Sequence, residues 1–302
     1  MVKMDGCGAK YDNEQITMSE IRKYFTSRFD NGHIMEFDFS QLEVICLAHL
    51  SQDKQLIKDI RDGIDMHRVM AAKLFSIPES EVTPAQRKKA KQLTFQLQYG
   101  AGYKSMAKST KLSQDLCKKF INNYYERYKG VLAWQRANIK KVESLRVDSG
   151  TKTPMGFPKG VSTLVTETGR RFTFYERDIK AMPWVTYPTK PTGFFSTEIK
   201  NYPVQGFATG DIVPMVLGKV YRALKVCNPE VQANIKMINT VHDSIVFDVN
   251  NGYQYNCYDI VHPVMERVAQ YLMDDFGIEF DMPITVDCQI GDDWMDMTEY
   301  RP

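Results

Sequence analysis

FDFSQLE, residues 37–43, sets a carboxylate, Asp38, at the end of a short run of β-forming apolar residues. The run opens at His33, and HIMEFDF (33–39) reads as a strand. LEVICLAHLS (42–51) then reads as a buried helix. Far along the chain, TVHDSIVF (240–247) repeats the device. IKMINTV (235–241) and IVFDV (245–249) are two strands, with His242, Asp243 and Ser244 at the turn between them. A charge flanked by apolar strand residues is an unusual placement. If the strands are neighbours, Asp38 and Asp243 meet at one sheet edge. Two unrelated turn aspartates would give the same strings.

Paired carboxylates suit phosphoryl transfer. There the protein contributes positioning and charge stabilisation more than covalent chemistry. Two Mg²⁺ ions about 3.5–4 Å apart can activate a hydroxyl and stabilise a pyrophosphate leaving group. Mg²⁺ takes hard oxygen ligands and keeps waters, so two carboxylates plus substrate phosphates suffice.

A third string, RKKAKQLTFQLQYG (87–100), reads as a basic helix with aromatic residues. Pro84 suits its first turn and Gly100 its C-terminal cap. Arg87, Lys91, Phe95 and Tyr99 recur every fourth residue and so follow one helical face. Cations near the helix start would meet a triphosphate, and rings further along would stack on a base and sugar. An amphipathic helix with a solvated basic start and a buried aromatic end has the same pattern.

Charge is unevenly distributed. Over the 302 residues the net charge is only +2. Residues 86–119 carry nine Lys or Arg against one acid, a balance of +8, whereas residues 248–302 carry twelve acids against two Arg, a balance of −10. A localised basic element suits phosphate binding, and an acidic end would face away from nucleic acid. Solvated surface faces also carry such runs.

Hydrophobic content of 43% with 25% charged residues fits a soluble globular protein of one large or two modest domains. No apolar stretch reaches membrane-spanning length, and MVKMDGCGAKYDNEQ lacks a signal-peptide core. The six scattered cysteines form no CxxC pair, which argues against zinc and fits reduced thiols in a cytoplasm, a host's if the chain is viral.

DKQLIKDIRDG (53–63) and DMHRVMAAKLF (65–75) read as short helices, the second with Asp65 as N-cap. IPESEVTP (77–84) reads as a loop, and 113–145 as helix broken near Gly130. Residues 147–195 turn to hairpins and loops. Helix returns over 196–224 and 254–276, and ITVDCQI (284–290) is a last strand.

Together these strings resemble motifs A (FDFSQLEVICLAHLS), B (RKKAKQLTFQLQYG) and C (TVHDS) of the family A DNA polymerases, the bacterial DNA polymerase I class. NYPVQGFATGDI (201–212) resembles that family's primer–template minor-groove helix, and MPITVDCQIGDDW (282–294) its last palm strand. The resemblance runs from about residue 20 to the end, in the family's order. It implies an α+β right hand. The palm is an antiparallel sheet with helices, from residues 1–50 (motif A) and 196–302 (motif C). Helical fingers over 51–195 carry motif B. The thumb and the 3′–5′ exonuclease domain are lacking.

The implied activity is transfer of a nucleotide from dNTP to a primer 3′-hydroxyl on template DNA. Asp38, Asp243 and the backbone carbonyl of Phe39 would hold two Mg²⁺ ions. Glu43 would exclude a ribose 2′-hydroxyl. Arg87, Lys91 and His67 would grip the triphosphate, with Lys91 also the general acid for pyrophosphate. Phe95 would pack on the incoming sugar and base and discriminate against dideoxynucleotides. Tyr99 would stack on the template side. Gln41, Asn201, Gln205 and His242 would contact the minor groove near the primer end.

Two departures stand out. Ser244 replaces the usual glutamate of motif C, which implies altered metal dependence. Val44 replaces the arginine that follows motif A's glutamate. The resemblance also leaves the thumb, exonuclease and first palm segment to a second polypeptide, as in a bacteriophage split polymerase. Two alternatives are a single-subunit RNA polymerase, whose motif C reads His-Asp-Ser, and a catalytically silent primer–template-binding subunit. Glu43 with Phe95 speaks against the first, and the survival of Asp38, Lys91 and Asp243 against the second.

Overall fold

A computed structural model describes residues 9–11, 14–16, 20–179 and 192–302. Cys7 and residues 180–191 of the hairpin-and-loop stretch lie outside them. In chain order the strands are β1 (Ala9–Tyr11), β2 (Glu14–Ile16), β3 (His33–Phe39), β4 (Val147–Lys152), β5 (Pro158–Val165), β6 (Arg171–Tyr175), β7 (Arg177–Asp178), β8 (Thr192–Gly193), β9 (Ile235–Val241), β10 (Ser244–Val249), β11 (Val286–Gly291) and β12 (Thr298–Glu299). The first seven helices are α1 (Leu42–Ser51), α2 (Lys54–Arg61), α3 (Met66–Phe75), α4 (Pro84–Gln98), α5 (Tyr103–Thr110), α6 (Gln114–Arg127) and α7 (Lys129–Ser144). After them come α8 (Ser196–Gln205), α9 (Val213–Lys225), α10 (Pro229–Asn234), α11 (Gln254–Glu266) and α12 (Val268–Phe276).

The chain forms two compact units. The first comprises Met1–Leu42, Ala208–Phe280 and Ile284–Pro302, and the second Glu43–Phe207 with Asp281–Pro283. Nearly all of α1, and the whole of α8, fall in the second.

The first unit is built on an antiparallel sheet of order β12-β11-β3-β10-β9. Alternation along β3 gives this sheet two unlike faces. Met35, Phe37 and Phe39 point one way with Ile245, Phe247 and Val249, and all six are buried. Helix α11 packs over this face against β3 and β11, and α9 packs on α11. Phe37 meets Phe247 edge-on with ring centroids 5.5 Å apart. The other face carries Ile34, Glu36 and Asp38 of β3. The sequence reads 254–276 as one helix, but it breaks at Arg267, whose N–H bonds to the Val264 carbonyl at 3.4 Å.

Helices dominate the second unit, with a small β4-β5-β6 sheet beside α7 and α8. Val142, Leu164, Phe174 and Ile199 form the core beneath that sheet. One carboxylate, Asp53, caps two helices: it accepts from Leu56 N at the start of α2 and from Gly130 N (2.6 Å) and Val131 N at the start of α7. A Cβ on Gly130 would lie 2.8 Å from the Asp53 Cα, so glycine is required there. The continuous helix read over 196–224 is interrupted by a π-helical stretch, Gly206–Ile212, which follows Pro203 inside α8. A proline removes one ladder donor, and the backbone re-pairs over a longer loop.

Asp59 is 2% exposed and holds this unit together. Arg127 grips it with two bonds (2.7 and 2.8 Å), the Tyr128 hydroxyl donates at 2.9 Å, and Gln55 at 2.7 Å. Burial pushes its carboxyl up, but these donors outweigh burial and hold it below the usual aspartate value. Asp59→Ala would leave the half-buried Arg127 guanidinium and the buried Tyr128 hydroxyl without their acceptor. It is expected to cost about 3–5 kcal/mol of unfolding free energy, measured by urea denaturation.

Candidate active site

The carboxylates of the first unit come together through strand register. β3 lies between β10 and β11, so Asp38 faces Ser244 on one side and Asp287 on the other. Glu36, two residues before Asp38, shares its face. The end of β3 is tied on both flanks: Phe39 N donates to the Asp243 carbonyl at 3.3 Å and Ser40 N to the Thr285 carbonyl at 3.0 Å. A cavity of about 270 Å³ is lined by Glu36, Asp38, Asp243 and Asp287, with Arg22, His242 and Ser244. Asp38 and Asp243, assigned from the sequence, thus meet. Glu36 and Asp287 are additions. Asp287 sits in the strand that the sequence reading assigns, but nothing local marks it as facing Asp38.

Two backbone outliers flank the pair. Gln41 has φ +58° and His242 φ +55°, both in the left-handed region that few non-glycine residues occupy. Such strain persists only where the surroundings over-determine it.

Electrostatics favour a cation here. Asp38 is pushed up to about 7, first by partial burial and then by the charges of Asp243, Glu36 and Asp287. Asp243 is raised as well, chiefly by burial. Protonated Asp38 can donate to Asp243, which raises the one carboxyl and, against burial, lowers the other. Among the described residues no three His, Cys, Asp or Glu side chains converge as a closed metal cage would. Two carboxylates open to solvent are instead what Mg²⁺ uses when it keeps water and substrate oxygens.

The raised Asp38 value has a consequence for stability. The native state holds this proton between about pH 4 and 7 while the unfolded chain has lost it, so metal-free stability falls as pH rises across that window. Asp38→Asn removes the penalty. In EDTA at pH 8 it should stabilise the fold by about 1–2 kcal/mol, a figure discounted because Asp38 is open to solvent. At pH 4 the gain should vanish. Thermal melts at both values check this.

In the second unit, α4 begins with a capping box: Thr83 Oγ1 accepts from Gln86 N, and Gln86 Oε1 accepts from Thr83 N. Its buried stripe is Ala90, Leu93, Thr94 and Leu97, and α3 packs against the helix. The aromatic residues are not that stripe. Tyr99 is 43% exposed and Phe95 half-buried, with the Lys91 ammonium 5.6 Å above the Phe95 ring. Gly100 turns the chain at φ +77°, where a Cβ would lie 2.7 Å from the Thr197 Cα.

The other predicted residues of this unit have specific neighbours. Arg87 Nε donates to Asp65 at 2.5 Å, and Asp65 itself caps α3. His67 is buried beside Phe95, ring centroids 6.0 Å apart, with its Nδ1 unpartnered. Burial first, then Lys91 and Arg87, lower its pKa to about 4 against the pull of Asp65. His67 is therefore a neutral imidazole at pH 7. The Tyr99 hydroxyl donates to the Glu43 carboxylate (3.0 and 3.1 Å), a pairing that the sequence does not announce. Asn201 Nδ2 donates to Gln205 Oε1 at 3.2 Å along α8.

Comparison with known proteins agrees with this fold. The model of DNA polymerase family A matches residues 12–296. The chain is 28% identical to DNA polymerase I of Caldicellulosiruptor bescii over 94% of its own length and 29% of that protein's. It is 27% identical to the DNA polymerase of Bacillus phage SP01 over 93% of its own length and 28% of the relative's. It therefore spans under a third of the length of these relatives. The polymerase domain of Pol1 from M. smegmatis, solved with DNA primer–template and dNTP, has a TM-score of 0.63 at 24% identity, covering 92% of this chain and 42% of that one. That likeness establishes a shared mixed α+β fold. No helix among the described residues is long and apolar enough to cross a membrane.

Proposed function

This chain belongs to DNA polymerase family A, and we propose that it is the palm and fingers portion of a DNA-templated DNA polymerase. The palm comprises residues 1–50 and 196–302, and the fingers 51–195. The observation that carries this reading is the meeting of Asp38, at the end of β3, and Asp243, in the turn before β10, in one cavity.

Asp38, Asp243 and the Phe39 carbonyl would hold two Mg²⁺ ions, and the oxygen-only donor set fits them. When bound, Mg²⁺ neutralises the triphosphate and the attacking and leaving oxygens. The primer 3′-hydroxyl loses its proton to water, and its oxygen bonds to the α-phosphorus as the bond from that phosphorus to the pyrophosphate oxygen breaks. Arg87 and Lys91 bind the triphosphate as cations, and Lys91 gives a proton to the departing pyrophosphate. His67, being neutral, contributes an N–H donor rather than a charge. Phe95 packs on the sugar and base, and Tyr99 on the template side. Gln41, Asn201, Gln205 and His242 contact the minor groove.

Glu43 blocks a ribose 2′-hydroxyl, and the Tyr99 hydroxyl holds it in place. The test is primer extension with dNTPs and with NTPs. The wild type should strongly prefer dNTPs. Glu43→Ala should erode that preference at least about tenfold, or 1.4 kcal/mol, and Tyr99→Phe by less. A preference for NTPs would favour the RNA-polymerase reading. Primer–template binding without extension would favour a silent binding subunit.

A second polypeptide carrying thumb, exonuclease and first palm segment, as in a bacteriophage split polymerase, belongs to the same proposal. Its support is an edge strand of the sheet that pairs on one side only among the described residues. β9 ends the sheet with Ile238 exposed, beside a cavity of about 540 Å³ lined by Phe25, Ile34, Val246 and Trp294. Such edges invite strand addition. A stable monomer on gel filtration that extends primers processively unaided would refute this part.

A further inference from the structure

We infer that Glu36 is a positioning residue for Asp243, an inference that rests on the polymerase reading above. Both oxygens of its carboxylate are engaged. Ser244 Oγ donates to Oε1 at 2.7 Å and the Trp294 indole N–H to Oε2 at 3.1 Å. Ser244 is the residue after Asp243, is 3% exposed, and faces Asp38 across the sheet. Trp294 is fixed in turn. Its backbone N–H donates to the Phe25 carbonyl at 3.0 Å, the Phe25 ring meets it edge-on at 5.5 Å, and the Arg22 guanidinium lies 4.7 Å over its ring. Glu36 thus links a well-anchored indole to the turn that carries Asp243.

Packing alone gives no reason for a glutamate here. Its apolar neighbours Ile34, Val246 and Trp294 form a cluster that would accept a hydrophobic side chain. Its charge also bears unfavourably on Asp38 and Asp243. A carboxylate offers an acceptor to each of the two donors; glutamine has one acceptor oxygen, so the Ser244 hydroxyl would give up its charge-assisted bond and donate instead to the Val241 carbonyl, 3.1 Å away. The strained His242 needs such restraint. The turn is held by the Thr240 hydroxyl on the Ser244 carbonyl (2.8 Å), by Phe39 N on the Asp243 carbonyl, and by Glu36 on the Ser244 hydroxyl.

The experiment measures Mn²⁺ affinity by calorimetry, together with kcat and the KM for dNTP, for the wild type, Glu36→Gln, Ser244→Ala and the double variant. Each single variant should bind Mn²⁺ about tenfold more weakly, as loss of an outer-shell partner does. Each should lose kcat at unchanged KM, with an unchanged melting temperature. The double variant should match the singles, because one link is cut only once. Single variants that bind Mn²⁺ like the wild type would overturn the inference, as would losses that multiply to about a hundredfold. Should Glu36→Gln melt early, Ser244→Ala, which deletes one atom, decides alone. A wild type that neither binds Mn²⁺ nor extends a primer would overturn the polymerase reading, and this inference with it.

Discussion

Asp38→Ala and Asp243→Ala should each reduce Mg²⁺-dependent primer extension by at least about 10³-fold, the upper range for removing one preorganised electrostatic group. The ground is the acidic face of the five-stranded sheet. Asp38 stands at the end of β3 and Asp243 in the turn that leads into the adjacent β10, with Glu36 and Asp287 near them, and Asp38 is raised to about 7 by burial and these like charges. A site so short of positive charge is poised for a divalent ion. On the proposed metal assignment, removing either aspartate would take away half of the direct carboxylate ligation. It should not harm the fold, because neither side chain belongs to the buried face made by Met35, Phe37, Phe39 and Phe247. Single-turnover extension and a thermal melt of the same preparation separate the two effects. Near-normal extension by Asp38→Ala would refute the metal assignment.

Lys91→Ala should cost about 10²–10³ in kcat, or about 2.7–4 kcal/mol of transition-state stabilisation. Lys91 is exposed on α4, outside its buried stripe, with its ammonium over the Phe95 ring. A cation placed there contributes little to packing, so its loss should leave stability within about 0.5 kcal/mol. Lys91→Arg keeps the charge but changes donor geometry and should recover only part of the rate. Equal loss in Lys91→Arg and Lys91→Ala would support proton donation over charge alone.

Local sequence dictated the elements that carry the site. β3 spans His33–Phe39 because the run alternates over seven residues, α3 starts where Asp65 caps it, and α4 starts at Pro84 behind Thr83. What escaped the sequence depends on distant pairing. Asp287 joins Asp38 through the β3–β11 register, across nearly 250 residues of chain. Glu36 reads locally as one polar position in a strand, and only the placement of Ser244 and Trp294 gives it partners. The resemblance sets His67 beside Arg87 and Lys91 on the triphosphate, and burial beside Phe95 makes it neutral. For α4 the sequence left open whether Phe95 and Tyr99 are core. Leu93 and Leu97 take that role, which leaves the aromatic rings available.

The most direct test of the central claim is single-nucleotide incorporation by the 302-residue chain with Mg²⁺ on four primed templates that differ only in the templating base. The account predicts that each template admits its complementary dNTP and that Asp243→Ala admits none. Primer–template bound at saturation with no incorporation on any template, or addition that ignores the templating base, would contradict it.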